Sequence, residues 1–187
     1  MTGHATDQNA IEATRHWVVE VVVGLNLCPF AKREVQRDTI AYQVVHGDSQ
    51  AALEALLNAC QQLDNDSSIE TTLLIFPTDF GDFDDYLDLL AMADHMLDYG
   101  GYRGIYQLAS FHPDYCFAET SPDDPSNYTN RSPYPVLHLI REASIERVLA
   151  RYPDPDSIPH NNVTLTRERG NQAMQALIDA CHPNRAQ

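Results

Sequence analysis

Between Thr39 and Phe111 three short β-rich runs alternate with two segments of helical apolar spacing. No other feature restricts the fold as tightly. Thr39 to Val45 is rich in β-formers, and Thr71 to Phe76 (TTLLIF) reads as a buried strand stopped by Pro77. Ile105 to Phe111 supplies a third strand. After Asp48, a plausible N-cap, Leu53, Leu56, Leu57 and Cys60 fall on one helical face. Phe83, Tyr86, Leu87, Leu90 and Leu97 mark a second helix, ended by Gly100 and Gly101. Strand–helix–strand–helix–strand with short links is the pattern of right-handed crossovers on one sheet. The expected fold is therefore α/β: one domain over residues 1–187, a βαβαβ core sheet flanked by helices, and a long ordered polar loop. A ferredoxin-like α+β sandwich is the alternative.

Outside that core, residues 1–8 read as a loose polar tail. Ile11, Thr14, Trp17, Val18, Val21, Val22 and Leu25 follow helical spacing, which gives an amphipathic helix ending at Gly24. An irregular turn follows over 25–31. Residues 112–135 hold Pro113, Pro122, Pro125, Pro133 and Pro135 among Asp, Asn, Ser and Thr, with no apolar period. A loop of that length is commonly functional or disordered. Its aromatic residues Tyr115, Phe117, Tyr128 and Tyr134 favour order. Val136 to Arg141 fits either a helix running to Arg151 or a strand followed by a helix with Ser144 as N-cap. A last helix is expected over about Asn171 to Cys181.

Composition limits the function. The chain has 27 acidic and 12 basic residues and a formal net charge of −15. Such a surface repels phosphate backbones, so neither nucleic acid nor an anionic membrane is an expected partner. No apolar run approaches the roughly 20 residues that span a bilayer. Trp17 to Leu27 is interrupted by Glu20 and lacks the basic start and cleavage site of a signal peptide, so a cytoplasmic location is expected. The four cysteines (Cys28, Cys60, Cys116 and Cys181) form no CxxC pair. Neither GxGxxG nor GxxxxGK[ST] occurs, so no nucleotide cofactor is expected.

Four features carry candidate chemistry. His112 follows directly on the third strand, where ligands of open α/β sheets bind. Pro133 and Pro135 stiffen the backbone around Tyr134, so that Asn130, Arg131 and Ser132 sit in a rigid frame able to present donors to an anionic group. A turn in which Arg131 pairs with Asp123 or Asp124 accounts for the same residues without a ligand. His138 and Glu142 are neighbours if 136–142 is helical, and with His112 they make a two-histidine, one-carboxylate set suited to a divalent ion such as Fe or Zn. On a strand the two lie about 13 Å apart and cannot share an ion. Cys28 precedes Pro29. As N-cap of a short helix, near Lys32 and Arg33, its thiol would be acidified, and a small buried apolar residue is the competing role. Cys60 and Cys181 fall on apolar helical faces and read as core.

The stretches GLNLCPFA (24–31), TLLIFP (72–77), ASFHPDYCFA (109–118), DDPSNYTNRSPYPVLHLIRE (123–142) and IPHNN (158–162) together resemble the bacterial DUF1415 family, from the first helix to about Gly170. The resemblance implies no mechanism, because that family is named for unknown function. Its pattern includes Asn26, Cys28, Pro29, Phe30, His112, Pro113, Asn130, Arg131, Ser132, Pro133, His138, Arg141 and Glu142, all present here. Cys116 and Phe76 depart from it, which argues against required chemistry at those two positions.

Three functions are expected in turn. The first is a metal-dependent oxidoreductase or hydrolase, its ion on His112, His138 and Glu142 (or Cys28). Its small polar or anionic substrate would be held by Asn130, Arg131, Ser132, Tyr134 and Arg141. The second is a metal-free enzyme with Cys28 as nucleophile and His112 or His138 as base. The third is a non-catalytic ligand-binding or accessory protein. All the enzyme readings require the two imidazoles to meet in one cavity.

Overall fold

The computed structural model describes residues 2–150 and 152–182. Helix α1 (Thr2–Trp17) runs into a π-helical turn, Val18–Val23, and α2 (Ala31–Arg37) leads to β1 (Ile40–Val44). Then come α3 (Ser49–Asn65), β2 (Thr71–Ile75), α4 (Phe83–Tyr99) and β3 (Tyr106–Phe111). A 3-10 turn, Pro125–Thr129, precedes β4 (Val136–Arg141), α5 (Glu142–Leu149) and α6 (Ser157–Ala180). The four strands form one sheet in the order β1-β2-β4-β3. β1 and β2 pair in parallel, whereas β4 is antiparallel to both of its neighbours. β1, β2 and β3 thus run one way, and β4 is inserted against them.

Local chemistry explains the core elements. The Asp48 carboxylate accepts from the Ala51 amide and caps α3, as its position in the sequence predicts. Asp82 does the same for α4 through the amides of Asp84 and Asp85. β2 is buried at all five positions, which explains an apolar run without alternation. Leu74, Phe76, Leu137, Leu139 and Tyr106 pack beneath α3 and α4 with Leu56, Leu63, Tyr86 and Leu89. On the opposite face Leu73, Ile75 and Val136 meet Trp17, Val18, Val21, Met174 and Ile178. Helices on both faces, and parallel pairing of β1 with β2, exclude the ferredoxin-like alternative.

Several boundaries differ from expectation. The backbone is helical from Thr2, so residues 2–8 are not a loose tail. The helix then widens to π geometry at Val18, and Gly24 follows so closely on the Glu20 carbonyl that a Cβ there would lie 2.2 Å from its oxygen. Segment 136–141 is a strand, but Ser144 does not cap α5; its hydroxyl donates to the Glu70 carboxylate. The last helix starts at Ser157 and kinks at Gly170, whose φ of 77° suits glycine. Residue 151, the far limit of the helical alternative, lies outside the described residues. Among the described residues no helix is long and apolar enough to cross a membrane.

The polar loop is held by its own side chains. Asn127, fully buried, accepts from the Phe117 amide (3.0 Å) and the Thr120 hydroxyl (2.7 Å), and donates to the Ser121 carbonyl (2.9 Å). Asp124 caps the 3-10 turn through the Ser126 amide and grips Arg167 of α6 at 2.7 Å. That pair holds the Asp124 carboxyl well below the usual carboxylate range.

Candidate active site

Alternation along β4 and β3 puts the two candidate histidines on opposite faces of the sheet. His138 sits opposite Leu73 and Ala109 in the ladder, on the face covered by α1 and α6. His112, one residue past Phe111, turns the other way and stacks near Phe83 and Tyr86 of α4, 5.1 Å from each ring. Its Nε2–H donates to the Phe80 carbonyl at 3.0 Å, and its Nδ1 accepts from the Asp114 amide at 3.0 Å. Burial lowers its pKa, so the ring is neutral and both nitrogens are occupied. The expected convergence of His112 with His138 does not occur, and His112 is a bracket for the start of the loop.

The expected metal set fails for the same reason and for a second one. With β4 extended and α5 starting at Glu142, His138 and Glu142 are separated by about 13 Å of strand. Among the described residues no group of three His, Cys, Asp or Glu side chains could hold an ion.

The arginines of the motif are also committed. Arg131 donates to the carbonyls of Tyr115 (3.2 Å) and Pro122 (2.8 Å) and lies over the Tyr128 ring, so it ties the loop rather than facing a ligand. Asp124, offered above as its partner, belongs to Arg167 instead. Arg141 reaches the carbonyls of Leu63 and Ile69 and joins α3 to the sheet. The buried Ser132 hydroxyl donates to the Tyr134 carbonyl, and the Tyr134 ring packs edge-on against His182. Of the five residues expected to bind substrate, Asn130 lines a sizeable cavity.

Two chambers adjoin there. An inner one of about 190 Å³ lies between the sheet, the π turn, α2 and α5, with walls that include Trp17, Leu73, Ile140, Ile145 and Val148. An outer one of about 810 Å³ opens toward the loop and α6, with Thr120, Ser126, Asn130, Asn162 and Arg167 in its wall. Val22, Cys28, Ala109 and Phe111 line both chambers, so Cys28 lies in the wall they share.

The sequence places Cys28 there by a short chain of constraints. Asn26 takes a left-handed φ of 55° and ends the π turn, while the Leu27 amide bonds back to the Val22 carbonyl at 2.9 Å. The Leu27 carbonyl accepts from the Asn162 amide at 2.7 Å, which ties the turn to α6. Cys28 is not the N-cap of α2; Phe30 is. Burial pushes the thiol pKa up, against partial opposition from the backbone amides of Phe30 and Ala31. The acidified thiol expected from Lys32 and Arg33 is absent, so Cys28 is protonated at neutral pH.

His138 lines the inner chamber with Cys28. Its Nε2 lies 2.6 Å from the Thr71 hydroxyl, which in turn lies 2.6 Å from the Leu139 carbonyl. A hydroxyl has one proton. Donating it to Leu139 leaves the Thr71 oxygen to accept from Nε2–H, and the lone pair of the neutral ring is then on Nδ1. Burial lowers the His138 pKa to about 4.

Other wall residues carry no obvious mark in the sequence. The Trp17 indole nitrogen and the Ser126 hydroxyl, in side chains 2% exposed, have no hydrogen-bond partner. Trp17 belongs to the wall of the inner chamber and Ser126 to that of the outer, with these two atoms enclosed by protein. Trp17 reads in sequence only as an apolar helical position, and Ser126 only as a turn residue. Glu34 and Glu70 also line the inner chamber; Glu34 accepts from Thr39 at 2.6 Å.

No curated protein and no solved structure matches the chain. The stretches GLNLCPFA, TNRSPYP and IPHNN nonetheless meet around the outer chamber, through Cys28, Asn130, Pro159 and Asn162. They are parts of a single family model that matches residues 9–176, described as a protein of unknown function, and the chain belongs to that family, DUF1415.

Proposed function

We propose that the protein is a metal-free thiol enzyme acting on a small molecule, with Cys28 as nucleophile and His138 as its base. One observation supports this reading: among the described residues, the only cysteine and the only histidine lining these chambers share the inner one, and the cysteine also lines the outer. The neutral pair suits the task. The thiol proton passes to Nδ1 as sulfur attacks an electrophilic carbon, and Thr71 keeps the ring oriented through Nε2. Because the thiol pKa is raised and that of the imidazole lowered, the transfer occurs in concert with attack on bound substrate, not as a resting ion pair. His112 supports the loop from the other face and takes no part.

Alkylation by iodoacetamide at neutral pH, read by mass spectrometry on the folded protein, tests the pair. Cys28 is expected to react, and His138→Gln to slow that reaction by at least about tenfold. A Cys28 that resists alkylation until the protein unfolds overturns the reading. The raised thiol pKa favours one competing role, ligand binding without catalysis, and it predicts equal alkylation rates in both proteins.

A further inference from the structure

We infer that the substrate is an acyl compound with an uncharged apolar acyl group of about six carbons, joined to a polar leaving group. This rests on the thiol reading above and names its substrate class. The two chambers differ in chemistry, and Cys28 lies where they meet. The inner wall is formed by Trp17, Leu73, Ile140, Ile145 and Val148, the outer by Ser126, Asn130 and Asn162. A molecule that spans both chambers past Cys28 therefore presents its apolar end inward, its hydrogen-bonding end outward, and the bond between them to sulfur.

Size and charge narrow the inner part. A dry apolar cavity of about 150 Å³ holds a benzene ring. The inner chamber, at about 190 Å³, has room for a six-carbon chain or ring. Glu34 and Glu70 lie in its wall, so a carboxylate on the acyl group meets like charge there.

The chemistry balances with water as the only co-reactant. The Cys28 sulfur bonds to the acyl carbon and the bond from that carbon to the leaving group breaks. The thiol proton travels through His138 Nδ1 to the departing group. Water oxygen then bonds to the acyl carbon, the carbon–sulfur bond breaks, one water proton returns to the Cys28 sulfur, and the carboxylic acid leaves.

The test compares 4-nitrophenyl acetate, hexanoate and laurate by intact-protein mass spectrometry, with each rate normalised to that of free cysteine. Hexanoate is expected to acylate Cys28 at least about tenfold faster than either of the others. Val148→Phe and Ile145→Phe, on two positions of α5, are expected to move the preference toward acetate; agreement between them excludes misfolding of one. In parallel, hexanamide binding is followed by fluorescence of Trp17, the single tryptophan of the chain. Equal acylation by all three esters overturns the acyl inference and leaves the thiol reading standing. Saturable quenching by hexanamide without acylation by any ester overturns the thiol reading and keeps the chamber. Neither quenching nor acylation overturns both.

Discussion

The two faces of the sheet use the same residue types to opposite ends. Under α3 and α4, polar side chains are consumed by the fold: His112 spends both nitrogens, Tyr86 bridges the Val136 carbonyl and the Phe111 amide, and Arg141 holds carbonyls of α3 and its following turn. Thr72 is the exception, a buried hydroxyl without a partner. On the other face the packing of the π turn, α2 and α5 leaves a chamber, and its wall retains a histidine with a free lone pair and a protonated thiol. A motif residue is therefore not a site residue by type or by order in the chain. Which face its side chain takes decides between cement and chemistry.

The largest expected effect separates the faces directly. His112→Ala removes a fully buried ring and strands the Phe80 carbonyl and the Asp114 amide. It is expected to cost about 4 kcal/mol in urea denaturation. His138→Ala opens into an existing chamber and is expected to cost under about 2 kcal/mol while abolishing Cys28 reactivity. Equal stability losses with equal losses of reactivity would dissolve the distinction.

Protonation sharpens it. The folded pKa of His138 is about 4, below the ordinary value of 6.5, so the unfolded chain takes up the proton first as pH falls. Its contribution to stability is complete above about pH 6.5 and declines steadily until about pH 4, by on the order of 3 kcal/mol. The His112 pKa is lowered too and pulls in the same direction. His138→Gln is expected to flatten the stability profile over that window relative to the parent. An unchanged profile would mean that the ring is hydrated and ordinary.

The sequence reveals the scaffold better than the site for a physical reason. Apolar periodicity and caps are local, so β1 to β3, α3 and α4 are legible from runs such as TTLLIF and from Asp48. The insertion of β4 between β2 and β3 depends on how residues 112–135 fold back, and Asn127 and Asp124 determine that through bonds no spacing rule describes. The site was half legible. Cys28 and His138 are marked by type, but His112, Arg131 and Arg141 look equally chemical until their partners are known. Trp17 and Ser126 are conspicuous only through bonds they do not make, which no sequence records.

Arg131→Gln tests the loop's share of the comparison. It loses two carbonyl bonds and the cation–π contact with Tyr128, an expected cost of about 2 kcal/mol. Because the guanidinium faces the loop, the KM for a hexanoate ester is expected to change less than about threefold in the folded protein. A rise of KM by tenfold or more, with stability intact, would return Arg131 to the substrate.

The smallest stability effect is expected at Trp17, the most buried side chain of the chamber wall. Trp17→Phe removes ring volume, which costs free energy, and an unpartnered buried donor, whose removal returns part of it. The two terms oppose each other, and the vacated space joins a cavity that already exists. The net change is expected to stay within about 1 kcal/mol, well below what a tryptophan locked in a continuous core shows on truncation. Affinity for hexanamide, read by competition against iodoacetamide labelling of Cys28, is expected to change by less than about threefold, because the ring contributes wall surface and its enclosed nitrogen no bond to the ligand. A loss of stability above about 3 kcal/mol would show the indole to be core and the chamber to end short of it. The two faces of the sheet would then be packed alike.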